Sequence, residues 1–504
     1  MIVKDMMNIQ PQNKEPQNCE GIDFDIRYSL FDILRFKKIS DRLRSKLSKS
    51  MSRDVKRERP AMDLSWVDEF ITNIRPYVHV RPEDHLMIKR PNTAQKLNST
   101  GVFILKSLLD GKTIHELLNE IGREEEKIHD ISEFMIAVKH QMEGKLDEFS
   151  QNPAVDVVPF VMPFSRYPVL SEIAITYRCN LKCVFCYAGC GCTANPIRSD
   201  SELPVHRMKE VIWKLFHHAK VPSVSFTGGE PTLFEGLPEL IGYAKEIGMR
   251  VNLITNGTTI TRHSARMLAQ NGLDSAQVSV EGVTPSTHDR TVGVAGSFHK
   301  SVQSVGFLKD AGIAVHTHTT ITQLNIHECF QFPEFTKKVI QNDRFSMNLM
   351  IPCGSGSVNE EIVVPYRDVA EIIQEIIRKS RDAGVEFMWY SPIPMCMFNA
   401  IVHGLGNKGC SACDGLISIA PNGEVLPCAS YDDSVGNFLE EDFDALWQSP
   451  KARYYREKRF AHPKCRLCEH FHICNGACPL YWRQMGYDEF CTCQNPDRCK
   501  IKIA

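Results

Sequence analysis

Cys179, Cys183 and Cys186 stand at C-x3-C-x2-C spacing in the run Cys-Asn-Leu-Lys-Cys-Val-Phe-Cys, and Tyr187 follows. Three thiolates this close in sequence can converge on one face of a metal centre. Soft thiolate ligands select zinc, copper or iron–sulfur clusters. A closed structural zinc site takes four protein ligands, whereas this loop offers three cysteines and no histidine. That set suits a cluster with one iron left open, and a partial zinc knuckle is the rival reading. A second series lies far downstream. Cys413-x9-Gly423-x4-Cys428 is followed by Cys465-x2-Cys468-x5-Cys474-x3-Cys478, then by Cys491, Cys493 and Cys499. Two C-x2-C-type pairs alone would read as a zinc ribbon.

Nineteen cysteines in 504 residues, a net charge of −2 and a pI near 6.8 bound the class. The length has room for about two to four domains with a full core. The balanced charge lacks the basic signature of a nucleic-acid binder. No apolar run approaches a transmembrane helix and the first residues lack a signal-peptide pattern, so a soluble, cytoplasmic protein is expected. There, clustered cysteines point to metal rather than disulfides. Only Cys19 precedes Cys179, and ten of the nineteen lie from Cys410 to Cys499. A disulfide framework staples a whole fold, whereas ligands cluster.

The elements that must hold these cysteines follow from periodicity. Short apolar strands are expected at 172–177, 223–227, 250–255, 276–281, 313–320 and 345–351, alternating with amphipathic helices. Met208, Val211, Ile212 and Leu215 share one helical face, and Leu237, Leu240, Ile241 and Ala244 another. Strict alternation of this kind is the signature of a parallel α/β barrel, here over 165–385. The cysteine triplet then sits at the C-terminal end of the first strand, where barrels place chemistry. Thr227-Gly228-Gly229-Glu230-Pro231 follows the second strand, Thr255-Asn256-Gly257 the third and Ser279-Val280-Glu281-Gly282 the fourth. Paired glycines let backbone approach closely, and a carboxylate beside them can accept from an ammonium group.

Residues 1–75 read as a disordered start followed by a basic amphipathic helix at 24–50, with Lys37, Lys38, Arg42, Arg44, Lys46 and Lys49 among its apolar positions. Such a helix packs on its own protein or meets a membrane surface or acidic partner. Residues 76–150 read as a separate domain of three strands, at 77–80, 85–88 and 94–98, and then three helices. Thr113-x-x-Glu116 is a capping-box pattern opening the second of these. That order is winged-helix-like. A DNA-binding role is disfavoured by the acidic third helix, with Glu124, Glu125, Glu126, Asp130 and Glu133. Residues 386–504 are rich in Cys, Gly, Pro and aromatics, and ligand bonds are expected to hold them together.

Three resemblances sharpen these expectations. The C-x3-C-x2-C loop, the GGEP run and the ends of the third and fourth strands resemble the radical S-adenosylmethionine (SAM) enzymes. That family implies a partial (β/α)6 TIM-like barrel and a 4Fe-4S cluster on Cys179, Cys183 and Cys186 whose open iron binds SAM. It also implies SAM contacts at Phe185, Tyr187, Gly228, Gly229, Glu230, Pro231, Thr255, Asn256, Ser279 and Glu281. The family acid at 281 is usually Asp. His288-Asp289-Arg290, Gly293 and Gly296-Ser297-Phe298 resemble the family as well. The downstream series resembles the SPASM domain, which implies two auxiliary 4Fe-4S clusters. The first takes Cys413, Cys428 and Cys478 with Cys410 or Cys396. The second takes Cys465, Cys468 and Cys474 with one terminal cysteine, Cys499 being favoured. Cys190 and Cys192 are given structural or surface roles. Val80-Arg81-Pro82-Glu83-Asp84, Lys96-Leu97-Asn98-Ser99-Thr100-Gly101 and Leu109-Asp110-Gly111 resemble the PqqD-like domain, or RiPP recognition element, which implies leader-peptide binding by strand addition. The resemblances together imply an enzyme that modifies a ribosomally made peptide, served by an electron donor such as flavodoxin or ferredoxin. Maturation of a cofactor or partner enzyme, and a cluster-bearing redox regulator, are the alternatives.

Overall fold

The computed structural model describes residues 63–91, 93–142, 165–190 and 201–492. The basic helix expected at 24–50, the stretch 143–164, Cys192, Cys493 and Cys499 lie outside the described residues.

The first unit opens with helix α1 (Val67–Ile74) and a meander of β1 (Val78–Arg81), β2 (Leu86–Lys89) and β3 (Thr93–Lys96). Helices α2 (Ser99–Leu109), α3 (Ile114–Ile121) and α4 (Glu125–Met142) follow. Asn98 caps α2 by accepting from Gly101 N at 2.8 Å. Thr113 and Glu116 form the expected capping box on α3. The alternation of β2 explains its layering. Met87 faces the helical core of Val67, Ile71, Leu105, Leu117 and Phe134, while Leu86 and Ile88 face the other way, onto Ala94 and Val169. Helix α1 belongs to this core through Val67, Ile71 and Ile74. The unit therefore begins before residue 76, and the boundary expected there is corrected. The apolar stripe of α1 is only eight residues long and was masked by the charged run before it.

The main sheet has ten strands in the order β10-β9-β8-β7-β6-β5-β4-β11-β12-β13. Its centre is the six expected parallel strands: β4 (Leu170–Thr176), β5 (Ser223–Gly228), β6 (Arg250–Thr255), β7 (Ser275–Ser279), β8 (Ala314–Ile321) and β9 (Arg344–Leu349). Two more parallel strands flank them. β10 (Glu386–Trp389) pairs with β9, and β11 (Leu416–Ile419) pairs with β4. The short strands β12 (Glu424–Leu426) and β13 (Gly436–Asn437) extend that edge antiparallel. A domain boundary at 385 therefore cuts through one sheet. β10 and β11 are four residues each, too short to show a period. Ile173 and Ile175 of β4 point outward into the core with Met208, Val211 and Leu215 of helix α5 (Val205–His217). By alternation Glu172, Ala174 and Thr176 point into the barrel.

The barrel interior is polar. Asn252 bridges Ser225 (3.2 Å) and Ser275 (2.8 Å), His316 Nε2 meets Gln277 (3.2 Å) and His318 Nδ1 meets Ser346 (2.8 Å). The first unit docks at the N-terminal ends of the strands. Arg81, held by both oxygens of Asp84, donates to the carbonyls of Tyr167, Pro168 and Lys220 at 2.7–3.1 Å. Arg90 donates to Gly248 O at 3.2 Å. These carbonyls precede β4, β5 and β6, so the unit covers the end of the barrel opposite the cysteine loop.

Burial depresses four histidines, His79, His288 and His316 to about 4 and His318 to about 3. Each stays neutral in the folded chain yet takes a proton near pH 6.5 once unfolded. The unfolded chain then binds more protons, so stability rises with pH from about 4 to 6.5 and is lost as pH falls through that window. The urea unfolding midpoint is expected to drop between pH 7 and about pH 5, with a shallower drop for His316→Asn. A midpoint flat over that range would contradict the buried, neutral state of these rings.

Candidate active site and cluster-binding sites

The cysteine loop leaves β4 and is strapped from three sides. Lys182 N and Val184 N donate to Val292 O (2.9 Å) and Thr291 O (3.2 Å) at the end of helix α6 (Pro285–Val292). Ser355 N donates to Cys186 O at 2.8 Å, and Asn359 Nδ2 to Val184 O at 2.9 Å. Gly354, at φ +57°, lies so close that a Cβ would stand 2.3 Å from Cys186 O and 2.4 Å from Tyr187 O. Leu181 N donates to Cys179 Sγ at 3.4 Å. Burial pushes the Cys179 thiol up to about 11 and raises Cys183, whose neighbours include Cys186 and Cys179. Cys190 is buried and hydrogen-bonds to Cys186, lowering its proton affinity. Burial and the neighbouring thiols keep Cys179 and Cys183 protonated while they are free, and iron-bound thiolates are the form such a donor set fits.

The GGEP run sits beside this loop. A Cβ on Gly228 would lie 2.1 Å from Thr176 O, and one on Gly229 2.3 Å from Arg178 O. Gly229 N and Glu230 N donate to those same two carbonyls at 2.8 Å. The glycines admit the backbone leading into the cysteine loop. Glu230 is 0% exposed. Its carboxylate accepts from Thr255 Oγ1 (2.7 Å), Asn256 N (2.7 Å), Thr232 N (3.1 Å) and Thr232 Oγ1 (2.6 Å). Burial raises its pKa against these bonds. The carboxylate ties the ends of β5 and β6 together, and the expected contact between Glu230 and the SAM amino group would have to share it with these bonds. Pro231 is buried and opens the short turn that Glu230 caps. Asn256 passes the tie on, since its Nδ2 donates to Asn180 Oδ1 at 3.0 Å in the cysteine loop.

Glu281 is buried beyond β7 and accepts from Thr320 N at 2.8 Å, with its pKa pushed up to about 8 by desolvation. It is one of the charges felt by Cys183. Ser279 is opposite His318 in the sheet register. Phe185 and Tyr187 are partly buried against the main core, and the Tyr187 hydroxyl bonds to Thr227. His288 Nδ1 accepts from Glu281 N at 3.0 Å, and Asp289 accepts from Gly296 N (2.6 Å) and Phe298 N (2.9 Å). His288 and Asp289 thus brace the turns that follow β7 and precede Ser297.

Cys410 and Cys413 on one segment share an electrostatic neighbourhood with Cys428 and Cys478 from two others. Cys478 and Cys428 each feel Cys410, Cys428 also feels Cys478, and Cys413 feels Cys410. Cys396 instead follows Met395, whose N–H donates to Cys474 Sγ at 3.3 Å in the other group. Of the two alternatives for the fourth ligand, Cys410 is the one whose charge Cys413, Cys428 and Cys478 feel. Two buried cations adjoin this quartet. Lys458 is 0% exposed; its Nζ donates to Cys410 O and lies 3.4 Å from Asp414. Arg456 donates to Cys413 O at 2.9 Å and stacks over Trp447 at 4.6 Å. Two buried cations with one carboxylate call for further negative charge, which four thiolates on an iron–sulfur cluster carry. Cys465, Cys468 and Cys474 form the third group: burial, then the neighbouring Cys474 and Cys468, raise the Cys465 thiol, and burial, with Cys468, raises Cys474. Cys499 and the side chain of Cys491 lie outside the described residues.

Residues 173–332 match the radical SAM superfamily model, and 410–469 the SPASM iron–sulfur cluster-binding domain. The chain carries a radical SAM domain and a SPASM domain. It is an enzyme, and its cofactors are SAM and 4Fe-4S clusters. An AdoMet-dependent heme synthase from Nitratidesulfovibrio vulgaris is 26% identical over 317 residues, 60% of this chain and 85% of the relative. A PqqA peptide cyclase from Rhizobium meliloti is 25% identical over 333 residues, 64% and 84%. The crystal structure of Streptococcus suis SuiB bound to precursor peptide SuiA superposes with a TM-score of 0.57 at 18% identity, covering 80% of this chain and 95% of SuiB. That likeness concerns the fold.

Sequence reasoning missed Lys458 and Arg456, which sit in a run of Lys and Arg that reads as a solvated helix. It also missed Glu172, whose Oε1 accepts from Ser418 Oγ (2.6 Å) and Ala429 N (3.2 Å), joining β4 to the segment after Cys428. Its only signal was a carboxylate inside an apolar strand.

Glu230→Gln turns an NH2 group toward existing donors. It should lower the unfolding midpoint, by about 1–3 kcal/mol of stability, and weaken SAM binding in parallel. Weaker SAM binding at unchanged stability would return the carboxylate to direct contact. Lys458→Met removes a buried positive charge, so the auxiliary-cluster reduction potential should fall by on the order of tens of millivolts. Potentiometric titration followed by electron paramagnetic resonance reads this out, and an unmoved potential would separate Lys458 from a cluster.

Proposed function

We propose that the chain modifies a ribosomally made peptide or protein, with C–H abstraction leading to a cross-link or an oxidation. Cys179, Cys183 and Cys186 hold the SAM-binding cluster in this reading. Cys410, Cys413, Cys428 and Cys478 hold the first auxiliary cluster; Cys465, Cys468 and Cys474, with Cys499, hold the second. When bound, the first cluster and SAM together supply a 5′-deoxyadenosyl radical. The chain's own residues position and enclose. Phe185 and Tyr187 flank the cofactor, Ser279 and Glu281 meet its ribose side, and Glu230 fixes Asn256 from behind. A flavodoxin or ferredoxin serves as electron donor, in the cytoplasm.

The observation that carries the peptide reading is the first unit. Its three-stranded sheet has β1 and β3 as edges. β1 ends in Arg81, which is buried against the barrel, so β3 is the edge suited to an added strand. PqqD-like recognition of a leader segment fits that edge, and the PqqA cyclase relative and the peptide-bound SuiB fold favour the same substrate class. Cofactor maturation is the second reading, favoured by the heme synthase relative.

A short-peptide library offered to the full chain separates the two. Captured peptides should slow amide exchange at Thr93–Lys96 by at least about tenfold. Protection confined to other segments would remove β3 as the recognition edge. Tight binding of an iron porphyrin with no peptide captured would put cofactor maturation first.

A further inference from the structure

The end of the barrel that carries the cysteine loop has two halves. One is built by the ends of β4 to β7, the other by β8, β9 and β10. In the second half Val315, Ile321, Met347, Leu349, Phe387 and Trp389 pack in the outer core. By alternation His318 and Thr320 of β8, Ser346 and Asn348 of β9, and Tyr390 just past β10 point inward. Thr320 stands opposite Asn348 in the register. Its N–H donates to Glu281, whose charge Cys183 feels, so this layer lies on the cysteine-loop side of the barrel. Tyr390 is 42% exposed, and its ring stacks on His318 with centroids 5.7 Å apart and planes at 17°. Burial by the surrounding walls pushes its hydroxyl up to about 12, so the exposed ring lies in a recess and not on an outer face. His318 is fixed in turn, its Nδ1 meeting Ser346 Oγ at 2.8 Å. Asn348 lies near enough to favour the charged form of that ring, yet among the described residues no donor reaches the buried Asn348 Oδ1 with hydrogen-bond geometry. A buried acceptor in this state calls for a partner, and an exposed ring in a recess calls for another flat group.

We propose that Asn348 and Tyr390, the latter steadied by His318, bind the reacting side chain of the substrate and select a planar one that carries an N–H or O–H donor. The proposal rests on the reading that the substrate is a peptide. The flat group lies against the Tyr390 ring, and its donor turns to Asn348 Oδ1. The place suits the chemistry. The proposed SAM contacts follow β4 to β7, and a C–H bond brought beside the cofactor enters from the facing half. The inward groups of that half are an amide, a phenol, two hydroxyls and an imidazole that burial keeps neutral. None is a cation, so a carboxylate side chain finds no counter-charge there.

The test offers a random-peptide library to the full chain with its clusters reconstituted, SAM and dithionite. Mass spectrometry reads which peptides change mass and at which residue. With the wild type, the modified residue should be planar and carry a donor. Asn348→Leu removes the acceptor, and the preference for such a residue over Phe should fall at least about tenfold. Asn348→Asp keeps an acceptor and adds charge, so the choice should move toward Arg. On a peptide that the wild type favours, Tyr390→Ala should raise KM at least about tenfold, and Tyr390→Phe should keep it near the wild-type value. Iron content and SAM binding, measured on each variant, separate a lost fold from a changed choice. Wild-type modification of planar and branched aliphatic residues alike would overturn the proposal. So would a choice that Asn348→Leu and Asn348→Asp both leave in place, with the peptide reading intact. A library in which no peptide changes, while an iron porphyrin does, would remove the peptide reading and this proposal with it.

Discussion

The cysteine loop is where it is because no side chain stands between it and the end of β5. Gly228 and Gly229 bring two backbones within hydrogen-bonding distance, so Thr176 O and Arg178 O are paired at the point where the chain leaves the barrel. A Cβ at either glycine would collide with a carbonyl and push the loop away. Glu230 then locks the neighbouring strand end through Thr255 and Asn256, and Asn256 reaches back to Asn180. The result is a ring of polar contacts in which the cysteines are fixed by main chain rather than by their own packing. Such a loop keeps its shape whether its thiols are protonated or bound to iron, and this is the pre-organisation a site with one open ligand position needs.

The auxiliary cysteines are fixed to the same sheet by a different device. β11 pairs in register with β4, Leu416 opposite Leu170 and Ile419 opposite Ile173. Cys413 and Cys428 therefore lie just before and just after strands that extend the barrel. Glu172 strengthens the join by accepting from Ser418 and Ala429. Burial raises its pKa, so its two hydrogen bonds do not fully offset desolvation. A carboxyl held this way costs stability, and it stands between the Cys428 segment and Tyr187, both of which feel it. The two metal-binding regions are thus parts of one rigid sheet, not two domains joined by a linker.

How much of this was legible in the sequence depended on the kind of constraint. The six central strands were readable because each is flanked by an amphipathic helix, and the cysteine groups because ligand spacing is local. β10 and β11 were not, because four residues carry no period and their pairing partners are distant in sequence. Gly228 and Gly229 were recognised as a close approach, but sequence cannot say what approaches. Glu230 looked available to a ligand, and only the structure shows four donors already on it. Lys458 and Arg456 were invisible for the opposite reason: a charge run reads as solvated, and burial of two of its members depends on a fold that brings Cys410 and Cys413 against them.

The placement of the first unit has a consequence for any substrate it holds. Arg81 and Arg90 bind carbonyls at the N-terminal ends of the strands, whereas Cys179 follows the C-terminal end of β4. The seven residues of β4 alone span about 23 Å at roughly 3.3 Å per residue. Between the two ends the barrel is lined by the bonded side chains of Asn252, Gln277, His316 and His318. Under the proposed reading, a bound peptide must leave β3, pass around the outside of the barrel and turn in over the cysteine loop. An extended segment of at least about seven residues covers the straight distance, and the detour adds more. Recognition and chemistry are then joined only by the length of the substrate, so the unit raises the local concentration of the reacting residue without touching it.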